Sequence, residues 1–175
     1  MEKRFNRGKR VEKTWKQGQM QISNGQEAIY IACEMEKGAV QLYERALLVL
    51  DSLGRSREPF YDRVTAMLAE EKGHLKQFQA LYRGLDASLE HRLTLSAVAD
   101  RLLFEGGLTA AARQGLLTDE AALLRFAIDA ERGAAAAYRA FAARAHDAEA
   151  SAALLAIASE EDRHLETLLR RQEQV

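Results

Sequence analysis

Apolar residues recur at three- and four-residue intervals along four long stretches of the chain, a spacing that places them on one face of an α-helix. This pattern predicts helices over residues 25–53, 59–82, 119–145 and 148–172. Short loops join the first helix to the second and the third to the fourth. Each of these pairs should therefore form an antiparallel hairpin.

The connection between the two hairpins is longer and less regular. It covers residues 84–118 and contains one short amphipathic segment, predicted as a helix over residues 94–104 and closed by Gly106 and Gly107. A connection of this length can carry the chain along a whole helix. The predicted fold is therefore an all-α four-helix bundle with a long crossover that contains a short helix.

Residues that stop or start helices lie near the predicted boundaries. Gly54 and Gly84 follow the first and second helices. Thr118 or Asp119 can cap the third helix and Asp147 the fourth, because their side chains can accept hydrogen bonds from free backbone N–H groups.

The composition supports one helical domain. The chain has 175 residues, a formal net charge of −1 and only one proline, so little favours strands or a second domain. The single cysteine, Cys33, excludes an internal disulfide and a CxxC zinc or rubredoxin site. No apolar run is long enough to cross a membrane and no signal peptide begins the chain, so a cytoplasmic protein is expected.

The first part of the chain differs in charge from the rest. Residues 1–20 carry seven Lys or Arg against two acidic residues. Such a segment could bind nucleic acid or an anionic surface, but a solvated basic tail is the expected reading and nucleic-acid binding is not expected. The predicted organisation is a tail over residues 1–24 and a bundle over residues 25–175.

Six polar residues interrupt the apolar stripes near the middle of the four helices. The first and third helices each carry one glutamate there, and the second and fourth each carry Glu-x-x-His. The six residues are Glu36, Glu71, His74, Glu131, Glu161 and His164. Residues three apart lie on nearly the same helix face, so each Glu-x-x-His could offer a carboxylate and an imidazole to one metal ion.

The two hairpins repeat each other. Glu36, with Tyr43 seven residues later, matches Glu131 with Tyr138 at an offset of 95 residues. The two Glu-x-x-His motifs match at an offset of 90 residues. Seven residues are close to two turns, so each tyrosine should lie about 10 Å along the same face as its glutamate. The pattern indicates an internal duplication of a helical hairpin.

Four carboxylates inside a bundle require positive charge. Burying ionised carboxylates without partners is very costly, and four together would repel one another or take up protons. Two divalent cations would neutralise them, and mixed carboxylate and imidazole ligands suit iron or manganese. One glutamate from each of two helices, with Glu-x-x-His from each of the other two, is the known ligand pattern of dinuclear carboxylate bundles. The alternative is that these residues face solvent at the edges of the stripes.

On these repeated motifs, residues 25–172 resemble the rubrerythrin family of the ferritin-like superfamily. The resemblance implies a centre of two iron ions, with manganese or a mixed pair as the other choices. It makes Glu36 and Glu131 terminal ligands on opposite metals, and Glu71 and Glu161 bridging ligands.

The same resemblance implies that His74 and His164 each bind one of the two metals. It also implies that Tyr43 and Tyr138 hydrogen-bond ligand carboxylates and orient them, with a redox role as the less favoured reading.

The chain departs from typical rubrerythrins in two respects. It has no rubredoxin domain with four cysteines, so electrons would come from an external donor such as a rubredoxin-like protein. Typical rubrerythrins also have an extra glutamate three residues after the third-helix ligand, where this chain has Ala134, and the equivalent position of the first helix is Ala39. The six-ligand shell is therefore closer to that of bacterioferritin, which weakens the expectation of an efficient peroxidase cycle.

The expected function is a di-iron redox enzyme that reduces hydrogen peroxide or dioxygen as it oxidises Fe(II). Three alternatives remain open: an iron-storage or ferroxidase-type protein, a di-metal oxygenase acting on an organic substrate, and an interaction module with a structural metal. The resemblance also implies a homodimer.

The remaining candidates are expected to be structural. His91 and His146 are expected at the surface, and Cys33 is expected to act as a small buried apolar residue. Four acidic residues beside the predicted ligands are expected to point elsewhere on their helices: Glu34, Glu70, Asp129 and Glu160. The paired glycines Gly38 and Gly133 are expected to allow close helix packing.

Overall fold

The computed structural model describes residues 22–103, 110, 112–115, 117 and 119–175 of the chain. Within these residues the chain is all-helical and contains no strand. The bounds of five helices lie there: α1 (Gly25–Ser52), α2 (Pro59–Leu81), α3 (Ala87–Ala99), α4 (Glu120–Ala142) and α5 (Ala148–Gln172). The all-α class predicted from the apolar spacing is confirmed.

The four long helices pack side by side around a common interior. Helix α1 pairs with α2 and α4 pairs with α5, while α1 also contacts α4, α2 contacts α5, and α3 packs on α1. The interior contains two separate apolar clusters. One includes Ile29, Phe78 and Leu154, and the other includes Leu42 and Leu124. Every long helix contributes to both clusters, so the stretch between them lies near the middle of each helix.

The predicted helix boundaries agree closely with the structure for the four long helices. The Asp119 carboxylate accepts a hydrogen bond of 2.8 Å from the backbone N–H of Ala122, as expected for a cap. Thr118, the other candidate cap, lies outside the described residues. Asp147 caps α5 in the same way through the N–H of Glu149, at 3.0 Å. Gly54, with φ of +70°, follows the end of α1.

The short crossover helix was predicted in the wrong place. It spans Ala87–Ala99 and not residues 94–104. It begins early because the Asp86 side chain accepts a hydrogen bond of 2.9 Å from the N–H of Ser88. It ends early because Arg101 adopts a positive φ of 61°, which no helix can continue through. The glycine pair at 106–107, expected to close this helix, lies outside the described residues.

The fold takes in residues that precede the first helix. Ile22 is 7% exposed and belongs to the same apolar cluster as Ile29. The backbone N–H of Ser23 donates to the Glu27 carboxylate at 2.8 Å, and Asn24 accepts from the N–H of Glu27 at 3.0 Å. These reciprocal bonds fix the start of α1. The basic segment over residues 1–20 lies outside the described residues.

A search of the described residues for membrane-spanning segments found no helix with the necessary length and apolar character.

The paired glycines Gly38 and Gly133 do not mark close helix packing, contrary to expectation. A Cβ atom built at either position meets no other atom within 4 Å. Both glycines lie inside helices, so they cost stability without a packing reason.

We predict that Gly38→Ala and Gly133→Ala will each raise the free energy of unfolding, because alanine favours the helix by about 0.5–1 kcal/mol over glycine. Urea denaturation followed by circular dichroism measures this change. Gly54→Ala is the control and should lower stability, because Gly54 has a φ of +70°. Destabilisation by both helix substitutions would show that these glycines serve packing after all.

Candidate metal centre

All six polar residues predicted from the stripes meet in the interior, between the two apolar clusters. Each of them is at most 4% exposed: Glu36, Glu71, His74, Glu131, Glu161 and His164. They form two groups of four that could each hold a metal ion. One group contains Glu36 and His74, the other contains Glu131 and His164, and Glu71 and Glu161 belong to both. Within each group the ligand atoms lie within 4.8 Å of one another.

The two imidazoles turn the same nitrogen toward the shared carboxylates. The Nδ1 atom of His164 lies 2.8 Å from Oε1 of Glu71 and 3.1 Å from Oε2 of Glu161. The Nδ1 atom of His74 lies 3.3 Å from Oε1 of Glu161 and 3.4 Å from Oε2 of Glu71. Two ligands at right angles, each about 2.1 Å from one ion, are about 3 Å apart. The donor atoms therefore have the spacing of ligands that share a metal.

The atoms that face this centre lack hydrogen-bond partners among the described residues. They are both carboxylate oxygens of Glu71 and of Glu161, Oε2 of Glu36, and Nδ1 of His74 and of His164. Buried polar atoms without partners are rare and costly. Seven of them converging on one place favour binding of a cation there, and oxygen and imidazole donors fit a divalent transition metal. The residues present could therefore hold a metal ion.

Two other buried glutamates differ from those at the centre in having hydrogen-bond partners. Glu27 and Glu120 are each 6% exposed, but both have partners in the protein. Glu27 closes the cap of α1. Glu120 accepts hydrogen bonds from Arg55 and from Nε of Arg171, the latter at 2.7 Å. Burial alone therefore does not leave these two carboxylates unpaired. In the part of the chain that the structure describes, the buried side-chain atoms without a partner lie at the centre, apart from Nε of Arg45.

In each histidine, the ring nitrogen Nε2 contacts a carboxylate of the opposite helix. Nε2 of His74 lies 2.8 Å from Oε2 of Glu160 on α5, and Nε2 of His164 lies 2.7 Å from Oε2 of Glu70 on α2. A proton kept on Nε2 by this bond leaves the lone pair of Nδ1 available to a metal. These two contacts orient both imidazoles with Nδ1 toward the centre.

Glu70 and Glu160 were wrongly expected to point away from the centre. The signal that could have found them is the longer motif Glu-Glu-x-x-His, which occurs twice at the same offset of 90 residues as the ligands. By contrast, Glu34 and Asp129 pair with Lys37 and Arg132 on their own helices and belong to neither group of ligands.

The two tyrosines hold the remaining glutamates across the interface between α1 and α4. The hydroxyl of Tyr138 donates to Oε1 of Glu36 at 2.6 Å, and the hydroxyl of Tyr43 donates to Oε1 of Glu131. Burial, reinforced by the neighbouring carboxylates, raises the pKa of both tyrosines well above its ordinary value. Both hydroxyls therefore keep the protons that they donate. The structure places both tyrosines where an orienting role requires them.

The pKa values of the glutamates at the centre are shifted in different directions. Burial and repulsion by Glu71 raise the pKa of Glu36 and of Glu131. Burial also acts to raise the pKa of Glu71, but contacts with His164 and His74 outweigh it and lower that pKa to about 2.

In the two histidines, burial and the neighbouring carboxylates shift the pKa in opposite directions. Burial acts to lower their pKa values, but the adjoining Glu161 and Glu71 outweigh it and raise the pKa of His74 to about 11 and that of His164 to about 12. Metal binding at Nδ1 would displace the proton that these carboxylates favour on each imidazole.

The other sequence candidates lie away from the centre. His91 and His146 are exposed, as expected. Cys33 is 5% exposed, packs in an apolar cluster and belongs to neither group of ligands. Burial raises the pKa of its thiol to about 11, which makes it unreactive.

Comparison of the chain with protein-family models, with curated proteins and with solved structures found no match.

We predict that Glu160→Gln will weaken metal binding about 10- to 100-fold, because His74 loses the carboxylate that orients it. Titration against a competing chelator measures the affinity. Glu166→Gln is the matched control, since Glu166 lies on the same helix but pairs only with exposed Arg170. Equal affinity of the two variants would contradict the orienting role of Glu160.

Proposed function

We propose that the protein is a non-haem di-iron redox protein with a ferritin-like four-helix bundle, which reduces hydrogen peroxide or dioxygen. The observation that carries the proposal is the pair of overlapping ligand groups that share Glu71 and Glu161. A site for one metal needs one such group. Two groups with two carboxylates in common are the arrangement expected of two ions held side by side.

The assignment of ligands in this proposal follows the two groups. Glu36 and His74 would bind one ion, Glu131 and His164 the other, and Glu71 with Glu161 would bridge them. The order of the helices, in which two hairpins are joined by a long crossover, also supports a ferritin-like topology.

Iron is the proposed metal, with manganese or a mixed pair as the other choices, because carboxylate and imidazole ligands suit both. When bound, two Fe(II) ions would supply two electrons, so that hydrogen peroxide and two protons become two molecules of water. The chain would contribute a fixed, water-poor pocket: Tyr43 and Tyr138 orient two carboxylates, and Glu70 and Glu160 orient the two imidazoles. The apolar clusters on both sides keep bulk water from the ligands.

The proposal requires electrons from another molecule. Cys33 is the only cysteine, so the chain cannot hold a rubredoxin-type iron site of its own. A separate rubredoxin-like protein or a small reductant would supply the electrons, and a homodimer is the proposed assembly.

A ferroxidase-type role is the second candidate. It is favoured by Ala39 and Ala134, which stand where an additional carboxylate would extend the ligand shell. A shell of six ligands supports oxidation of Fe(II) without the ligand exchange expected of a peroxidase.

We predict that the protein will bind two Fe(II) per chain under anaerobic conditions. Adding peroxide or air to separate samples and following the near-ultraviolet absorbance of ferric iron shows which oxidant acts faster. Faster oxidation by peroxide supports the peroxidase role, and faster oxidation by air supports the ferroxidase role. Failure to bind iron, manganese or zinc stoichiometrically would overturn the proposal.

We also predict that Glu71→Ala and Glu161→Ala will each abolish binding of at least one metal, because each residue belongs to both ligand groups. Metal analysis of the purified variants gives the stoichiometry. Glu166→Ala, a change at an exposed position of α5, is the control and should keep the full count. Unchanged stoichiometry in both test variants would refute the ligand assignment.

A further inference from the structure

An apolar cavity lies beside Tyr43, at one side of the metal centre. All four long helices line it, with Ala46 from α1, Val64 from α2, Leu124 from α4 and Leu168 from α5 among the lining residues. Its volume of about 20 Å³ is enough for one molecule as small as water or dioxygen. Tyr43 separates the cavity from Glu131, to which its hydroxyl donates.

Two of the lining residues are smaller than their counterparts in the other hairpin. Ala46 corresponds to Phe141 at the offset of 95 residues, and Leu168 corresponds to Phe78 at the offset of 90 residues. Both phenylalanines are buried, and the Phe78 ring packs edge-on against Tyr138 with centroids 5.5 Å apart. The Phe78 ring thus occupies space beside Tyr138, whereas the smaller Ala46 and Leu168 line the cavity beside Tyr43.

The lining offers no free hydrogen-bonding group among the residues that the structure describes there. Its two polar members are Tyr43, which donates to Glu131, and Glu120, which is bound by Arg55 and Arg171. Water or hydrogen peroxide would lose hydrogen bonds on entering. Nonpolar molecules such as dioxygen or xenon have no hydrogen bonds to lose, and apolar cavities take up such molecules. The chemistry of the lining therefore selects a small nonpolar molecule.

We propose that this cavity is a binding site for dioxygen. It lies on the Glu131 and His164 side of the centre, where Tyr43 donates to Glu131 and the rings of Tyr43 and His164 lie with centroids 6.4 Å apart. The inference rests on the proposed function and deepens it, because it names dioxygen as the oxidant that has a place beside the metals.

Paramagnetic relaxation by dissolved dioxygen tests the site directly. The full-length chain, labelled at its methyl groups and supplied with diamagnetic zinc, is compared under dioxygen and under nitrogen. The methyl groups of Leu124 and Leu168 should relax faster under dioxygen than those of Ile29 and Leu154, which belong to the other cluster; all four residues are at most 3% exposed. Equal enhancement in the two clusters would overturn the proposal.

Two matched variants test whether the selective relaxation enhancement arises in the cavity. Ala46→Phe introduces the residue found at the corresponding Phe141 and should abolish the selective enhancement. Leu48→Phe adds a ring on the same helix at a position that is 62% exposed, and it should leave the enhancement intact. Persistence of the effect in Ala46→Phe would overturn the proposal.

Xenon binding tests the site if that variant does not fold. A saturable shift of the Leu124 and Leu168 methyl resonances with xenon in the unaltered chain would support the site, and the absence of such a shift would overturn it.

The metal content of the same samples separates this inference from the proposed function. Selective enhancement in a chain that takes up neither zinc nor, in parallel samples, iron or manganese would support the cavity and refute the di-iron role. Metal uptake without selective enhancement would keep the di-iron role and refute the cavity as a dioxygen site.

Discussion

Four carboxylates and two imidazoles are buried at the middle of this protein, and the rest of the structure follows from the need to hold them. A buried charge is tolerated only when it is paired or binds a metal. The apolar clusters above and below give the helices their packing energy, but they cannot satisfy the seven donor atoms that face the centre. A bound cation would join ligands from all four long helices, so metal binding and stability of the fold should be coupled.

The contacts that orient the ligands cross between helices in a reciprocal pattern. Tyr43 on α1 and Tyr138 on α4 each hold the glutamate of the other helix. On α2 and α5, a glutamate of each helix holds the histidine of the other. Each helix therefore both provides ligands and positions those of its partner. The duplicated sequence explains the pattern, because two copies of one hairpin facing each other make each of these contacts twice.

Sequence periodicity predicted the long helices well, since the apolar stripes are long and capping residues mark their ends. The bounds of α5 match the prediction. The crossover helix was misplaced because its apolar pattern is short, and the cap at Asp86 decided its start. The roles of Glu70 and Glu160 were mispredicted because sequence spacing gives only the direction in which a residue leaves its helix. Neighbouring residues are about 100° apart around a helix. A long glutamate side chain can nevertheless reach the facing helix. The cavity beside Tyr43 depends on side-chain volumes across four helices, which no single stretch of sequence reveals.

The central claim is that two metal ions share Glu71 and Glu161. Anomalous X-ray diffraction at the iron absorption edge, on crystals of the iron-loaded protein, tests it most directly. The account predicts two anomalous peaks about 3.5–4 Å apart, one beside Nδ1 of His74 and the other beside Nδ1 of His164. A single peak between the two histidines, or iron bound only at the protein surface, would contradict it.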